Sequence, residues 1–444
     1  MSLQLIKNAI IVNDGQQFKG SVLVNNGRIM DIFSDEKTFP DCIVFDAGGE
    51  YLLPGVIDSH VHFRDPGFPA KGDLFTESKA GLAGGVTSYM EMPNTIPQTT
   101  TCELLAKKFE LASQKSLSNY SFYVGATNNN INELSNVDFS KVCGVKLFMG
   151  SSTGNMLVDN GKSLKELFSQ TQGLIAVHCE DEEIITKNIE LFRAKYGEDV
   201  PFRFHPSIRN DNACFRSSAM AVELAHKYNT RLHILHLSTA KELQLLSNDI
   251  LLSQKRITGE VCVHHLWFCD ADYDKFGSLI KLNPAIKTAN DRECLFSALL
   301  DGKIDVVATD HAPHTLAEKN NTYFKAPSGA PFIQHSLTAM LEFFHNNLMT
   351  IEQIVEKMCH NPAQLFKVKE RGYLRKGYWA DMILIDTKQT WQVSSENIFY
   401  KCGWSPLEGQ KFRSAVTHTW VNGNLVYENA QFNETFRGMP LEFT

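Results

Sequence analysis

Long apolar runs are missing from this chain. No stretch reaches the ~18 consecutive apolar residues that a membrane-spanning helix requires. The N-terminal MSLQLIKNAIIVNDG lacks the architecture of a secretory signal, because Lys7 and Asn8 interrupt its apolar stretch. No Cys-x-x-Cys pair occurs among the ten scattered cysteines, a usage expected of reduced, mostly buried thiols in a cytoplasmic protein. No run or stripe of Lys and Arg is present, and the net charge is −7, so no nucleic-acid surface is expected. A small anionic substrate would have to be met by local positive charge, not by a global field. Low-complexity segments and obvious linkers are absent as well.

What is present is enough apolar material for one large core and a smaller module: 444 residues, 43% hydrophobic. The two ends share a character. Residues 3–50 and 372–427 are short β-type runs broken by turns, with hairpin signals at Asn26-Gly27 and Asn422-Gly423. Residues 1–52 and 372–444 are therefore expected to form one small β-sandwich module from both termini. Between them, over 53–371, short apolar strands alternate with helical stretches. Strands are expected at 56–62, 86–92, 121–126, 144–149, 174–179, 231–237, 257–263 and 305–310. Helices are expected near 76–84, 102–116, 163–171, 212–228, 239–252, 290–300, 333–346 and 351–360. Eight strands in this alternation imply an α/β fold, a (β/α)8 TIM-type barrel, with a doubly wound open sheet as the alternative.

Chemistry-capable residues gather at the C-terminal ends of these strands, which converge on one mouth in a barrel. In DSHVHFRDPG (58–67), His60 and His62 share one strand face and can chelate one metal. Asn94 follows the second strand, Lys146 lies in the fourth, and His178, His236 and Asp310 end the fifth, sixth and eighth. An ammonium at Lys146 would be repelled by metal ions. A carbamate formed from its amine and CO2 would instead offer two oxygens to join two metals, and burial favours the reactive neutral amine. A substrate-binding or surface lysine is the plainer alternative. His233, three residues before His236, is expected on the other strand face in a structural role. His264 and His265 would overfill the site and are given a supporting role around it. His311 should point away from Asp310.

The order DSHVHFRDPG, MPNT, GVKLFM, VHCED, HILHLST and TDHAPH resembles the amidohydrolase superfamily, and within it the cyclic-amide hydrolases: dihydroorotases, allantoinases and dihydropyrimidinases. The resemblance covers nearly the whole chain. It implies two Zn2+ per chain, one held by His60, His62 and Asp310, the other by His178 and His236, with Lys146 as N6-carboxylysine bridging them. It gives Asp310 the catalytic role of general acid and base. Arg64 offers a planar fork suited to a carboxylate, and HFRDPG resembles the dihydroorotase form; allantoinases typically carry Asn at that position. Asn94, His314 and Asn283 match further substrate-contacting positions. The implied reaction is reversible closure of N-carbamoyl-L-aspartate to (S)-dihydroorotate in pyrimidine biosynthesis, with a homodimer as the assembly the family suggests and no nucleic-acid or membrane partner. Allantoin or another cyclic ureide is the alternative substrate, and a non-catalytic scaffold of the same fold is the alternative from another class. The chain departs from many long bacterial dihydroorotases, which carry Asp where Lys146 stands, and its APSGAPFIQHSL segment (326–337) is less typical. The turn-rich run 315–331 is expected to cover the mouth and to be mobile without ligand.

Overall fold

In the computed structural model, residues 3–35, 37–150, 156–158 and 160–444 are described. Eight parallel strands form one sheet: β1 (Val56–Val61), β2 (Val86–Glu91), β3 (Asn119–Gly125), β4 (Gly144–Phe148), β5 (Ile175–His178), β6 (Leu232–Ile234), β7 (Ile257–Cys262) and β8 (Val306–Ala308). Each pairs with its neighbour in chain order. A parallel bridge between Val61 and His311 closes β1 onto the chain leaving β8. The hydrogen bond from His62 N–H to the His311 carbonyl, 2.7 Å, belongs to the same closure. The result is the (β/α)8 barrel. Its strands are buried on both faces, which is why they read as nearly continuous apolar runs.

The helices outside follow local rules. Asp73 caps Leu74–Ala83 by accepting from the Phe75 and Thr76 amides, and Asn210 caps Asp211–Tyr228 from the Ala213 amide. The helix expected over 239–252 does not form. Two 3-10 turns, Ala240–Leu245 and Leu252–Gln254, stand in its place. Between them Ser247 and Asp249 bond each other, Ser247 Oγ to Asp249 Oδ2 and the Asp249 amide to Ser247 Oγ, so side chains compete with the helical ladder. The helix expected over 351–360 starts at Ile351–Val355 and widens into a π-turn at Glu356–His360. Among the described residues no helix is long and apolar enough to cross a membrane.

Both termini build a second, nine-stranded sheet. Its N-terminal part joins its C-terminal part where Tyr51–Pro54 pairs antiparallel with Met382–Asp386. The two hairpin turns have the expected chemistry: Asn26, Gly27, Asn422 and Gly423 all have positive φ, between 49° and 81°. The turns also touch each other. A Cβ on Gly27 would lie 2.7 Å from the Asn422 carbonyl oxygen, so only glycine fits there.

Candidate active site

The barrel brings its polar strand ends to one cavity of about 270 Å³. His60, His62, Lys146, His178, His236 and Asp310 all line it, together with Arg64, Asn94, Asn283 and His314. His60 sits inside β1, Lys146 inside β4, and His178 ends β5. His62, His236 and Asp310 lie one or two residues beyond their strands. His236 and Asp310 hold positive φ, 37° and 45°. That conformation is uncommon outside glycine and turns both side chains inward where regular alternation would not.

Around Asp310 Oδ1 two imidazole nitrogens converge: His60 Nε2 at 3.2 Å and His62 Nε2 at 3.0 Å. Donor atoms about 2.0–2.2 Å from one cation stand roughly this far apart. His60 Nε2 is buried and has no hydrogen-bond partner, and the same is true of His236 Nδ1. A buried imidazole nitrogen with nothing to bond is costly, and a cation would satisfy it. The distal nitrogens are held. His60 Nδ1 lies 2.5 Å from Glu260 Oε1, and His62 Nδ1 lies 2.7 Å from Asn94 Oδ1. Each acceptor keeps the proton on Nδ1 and leaves the Nε2 lone pair free for a metal. The residues present therefore fit a metal ion. On the other side, His178 Nδ1 meets His236 Nε2 at 2.9 Å, while His178 Nε2 meets Glu180 Oε2 at 3.1 Å.

Electrostatics follow from burial. Burial holds His62 down at about 4 and pushes His178 and His236 below the usual imidazole value, so these rings are neutral and can ligate. Burial pushes Asp310 up, but His60, His62 and His236 outweigh it and hold the carboxylate well below its usual range. Lys146 is 1% exposed and makes no ion pair among the described residues. Burial lowers it to about 8, with Asp310 and Glu260 opposing. A substantial fraction of its amine is then neutral near physiological pH.

Several partners went unnoticed in the sequence. Glu260 is the main one. Besides His60 it accepts from the His236 amide at 3.2 Å and meets His233 Nε2 at 3.2 Å. Burial pushes it up, yet His60 and His233 hold it at about 2. A lone glutamate within the apolar run ITGEVCV was the signal available. His233, expected on the face opposite to His236, instead shares Glu260 with His60: β6 ends at Ile234, and the positive φ at His236 breaks the alternation. Glu180 holds His178 and is itself paired with Arg209. Asp58 accepts from Thr309 Oγ1 at 2.6 Å, pinning the base of the Asp310 turn. His264 and His265 are buried beside each other, ring centroids 4.4 Å apart, and neither bonds the residues around Asp310. His311 turns away from Asp310 and bonds Glu77 at 2.7 Å.

At the mouth, Arg64 Nε donates to the Pro313 carbonyl at 3.1 Å, and its NH2 lies 3.1 Å from His314 Nε2. Lys71 Nζ lies 3.0 Å from His314 Nδ1, a second residue that sequence reasoning missed. His314 is held well below the usual imidazole value by burial and by these cations, so its ring is neutral. A neutral imidazole has one lone pair. Two cationic donors flank it, so one always lacks an acceptor there. Segment 315–331 supplies Pro327, Ser328 and Gly329 to the cavity wall. Two buried lysines, Lys281 and Lys319, donate to backbone carbonyls of this strap.

The Amidohydrolase family model matches residues 51–426. The chain belongs to that family. The dihydroorotase of Methanosarcina acetivorans is 32% identical over 417 residues, covering 91% of this chain and 88% of that protein. The dihydroorotase of Carboxydothermus hydrogenoformans is 32% identical over 430 residues, covering 96% and 98%. Among solved structures, the L-hydantoinase (dihydropyrimidinase) from Arthrobacter aurescens superposes with a TM-score of 0.92 at 26% identity, covering 97% of each chain.

Proposed function

We propose that this protein is a zinc-dependent dihydroorotase. It interconverts N-carbamoyl-L-aspartate and (S)-dihydroorotate, with release of water on ring closure, in pyrimidine biosynthesis. The observation that carries the substrate assignment is the Arg64–His314–Lys71 arrangement. Lys71, half-buried and paired with Glu318 at 2.9 Å, faces His314 Nδ1 and takes the ring's one lone pair, so the buried Arg64 NH2 on the Nε2 side is left to donate to a substrate carboxylate. Dihydroorotate carries a ring carboxylate; hydantoin, dihydrouracil and allantoin do not.

In this reading His60, His62 and Asp310 would hold one Zn2+, His178 and His236 a second, with Lys146, as N6-carboxylysine, a ligand as well. Metal bound there would supply an acidified water and polarise the scissile carbonyl. Arg64, with Asn94 and Asn283, orients the ring by its carboxylate and polar edge. The Asn94 oxygen is engaged by His62, which leaves its amide nitrogen to donate. In the hydrolytic direction Asp310 takes the proton of the attacking water as the carbon–oxygen bond forms. It returns that proton to the ring nitrogen as the carbon–nitrogen bond breaks. Ring closure runs the same steps backwards. The buried position of Asp310 keeps the proton from bulk water during the transfer.

A second reading, opening of a hydantoin or another cyclic ureide, draws on the likeness to the Arthrobacter hydantoinase. One assay separates the two. Purified protein reloaded with zinc is given dihydroorotate, hydantoin, dihydrouracil and allantoin in turn. The dihydroorotase reading expects dihydroorotate to be opened fastest. Faster opening of any ring without a carboxylate sinks it.

A further inference from the structure

Lys319 is 0% exposed, and among the described residues no carboxylate lies within ion-pair distance of it. Its ammonium donates instead to three backbone carbonyls: Lys281 at 3.3 Å, Pro327 at 2.9 Å and Gly329 at 2.8 Å. An ammonium has three donors, so all are used. A buried cation held only by neutral carbonyls is expensive, and a plain loop anchor does not need one. A second lysine, Lys281, pins the outer half of the same strap through the Tyr323 and Ala326 carbonyls, at 2.6 and 2.7 Å.

The polar backbone groups of the strap can be followed one by one. The Pro327 and Gly329 carbonyls go to Lys319. The Ser328 carbonyl meets His314 Nε2 at 3.1 Å, the Gly329 amide donates to the Lys281 carbonyl at 2.9 Å, and the Ala330 carbonyl accepts from the Ala312 amide at 3.0 Å. Pro327 has no N–H. The Ser328 and Ala330 N–H groups find no acceptor among the described residues, and of the two residues it is Ser328 that lines the cavity. In a trans peptide unit C=O and N–H point in opposite directions. Turning the Pro327 carbonyl toward Lys319 therefore turns the Ser328 N–H away from it. The approach is close: Gly329 has φ +131°, and a Cβ there would lie 2.6 Å from the Ala312 carbonyl oxygen.

We propose that Lys319 is a positioning residue: by holding the Pro327 and Gly329 carbonyls it aims the Ser328 N–H into the cavity as a hydrogen-bond donor to the substrate. The proposal rests on the reading of this cavity as the substrate site, but not on which cyclic amide is opened.

The test is Lys319→Met. In ligand-free protein, hydrogen exchange at the amides of 327–330 should be at least ~10-fold faster than in wild type, with zinc content unchanged. KM for whichever cyclic amide the wild type opens fastest should rise by about 10- to 100-fold, the range for one hydrogen bond to a charged or polarised group, with kcat changing less. Choosing the fastest substrate keeps a wrong substrate assignment from deciding the result. Unchanged exchange overturns the proposal, and so does faster exchange with KM unchanged. If Lys319→Met does not fold, wild-type protein decides. Slower exchange of the Ser328 amide when that substrate is added supports the proposal, and no change overturns it.

Discussion

Replacing Glu260 tests whether the partners behind the metal-facing histidines matter as much as the histidines. Glu260 takes the His60 Nδ1 proton at 2.5 Å with one oxygen and faces His233 at 3.2 Å with the other. In Glu260→Gln the amide oxygen can stay against His60, which places the NH2 against His233. His233 can adapt by moving its proton to Nδ1, 2.9 Å from Thr258 Oγ1, because the Thr258 hydroxyl also reaches the Leu232 carbonyl at 3.2 Å. Every group then keeps a partner, and only the charge is lost. A hydrogen bond to a charged group contributes about 1.5–3 kcal/mol and a neutral one about 0.5–1.5, so roughly 1 kcal/mol disappears, or about fivefold in zinc affinity. Glu260→Ala removes the acceptor and leaves His60 Nδ1 free to change tautomer. It should weaken zinc by up to ~100-fold, the upper range for loss of such a partner.

Chelator competition on metal-free protein measures these affinities directly. Thr258→Val blocks the adaptation, so Glu260→Gln with Thr258→Val should be worse than the two single changes summed, by about 1 kcal/mol in thermal stability. Equal zinc affinity in wild type, Glu260→Gln and Glu260→Ala would refute the claim that Glu260 orients His60.

Arg64→Lys keeps the charge but loses the fork; KM for dihydroorotate should rise about 10- to 100-fold while hydantoin opening, if any, barely changes. Lys146→Ala should lose metal and activity, and a short carboxylic acid should restore part of both; a full metal complement without added acid would rule out a bridging carbamate. Reloading of metal-free wild type with CO2 and zinc should speed up as pH rises through about 8, because the neutral amine is the reacting form and burial places its titration there. Asp310→Asn should cut turnover by ~10²–10⁴-fold, the range for a lost acid–base group, and chelator competition should show weaker metal as well.

How far the site could be read in advance depended on where each residue sits. The barrel strands are apolar on both faces, so their ends were recognisable, and a residue at a strand end has little freedom to point elsewhere. His60, Lys146 and His178 were legible for that reason. Glu260 was not, because its partner His60 lies 200 residues earlier and only barrel closure brings them together. Lys71 comes from an irregular segment and Lys319 from the single helical turn Leu316–Lys319, both too short for periodicity to report their path. The face of His233 was misread because a regular strand was assumed up to His236, whereas the chain leaves the strand at Ile234. The helix over 239–252 failed for a local reason, the mutual capping of Ser247 and Asp249.

The site itself depends on local departures from regular backbone. Arg64, His236 and Asp310 each hold positive φ, at 70°, 37° and 45°. Each such position costs about 1–3 kcal/mol and persists only if its surroundings over-determine it. Around Asp310 they do: Thr309 Oγ1 donates to Asp58, the His311 amide donates to Thr309 Oγ1 at 3.1 Å, and the His311 ring bonds Glu77 at 2.7 Å. At Arg64, the guanidinium is held by the Pro313 carbonyl, and Trp404 Nε1 fixes the next loop turn through the His314 carbonyl at 2.8 Å. All three side chains line the cavity, so these departures from regular backbone aim groups that would hold metal and substrate.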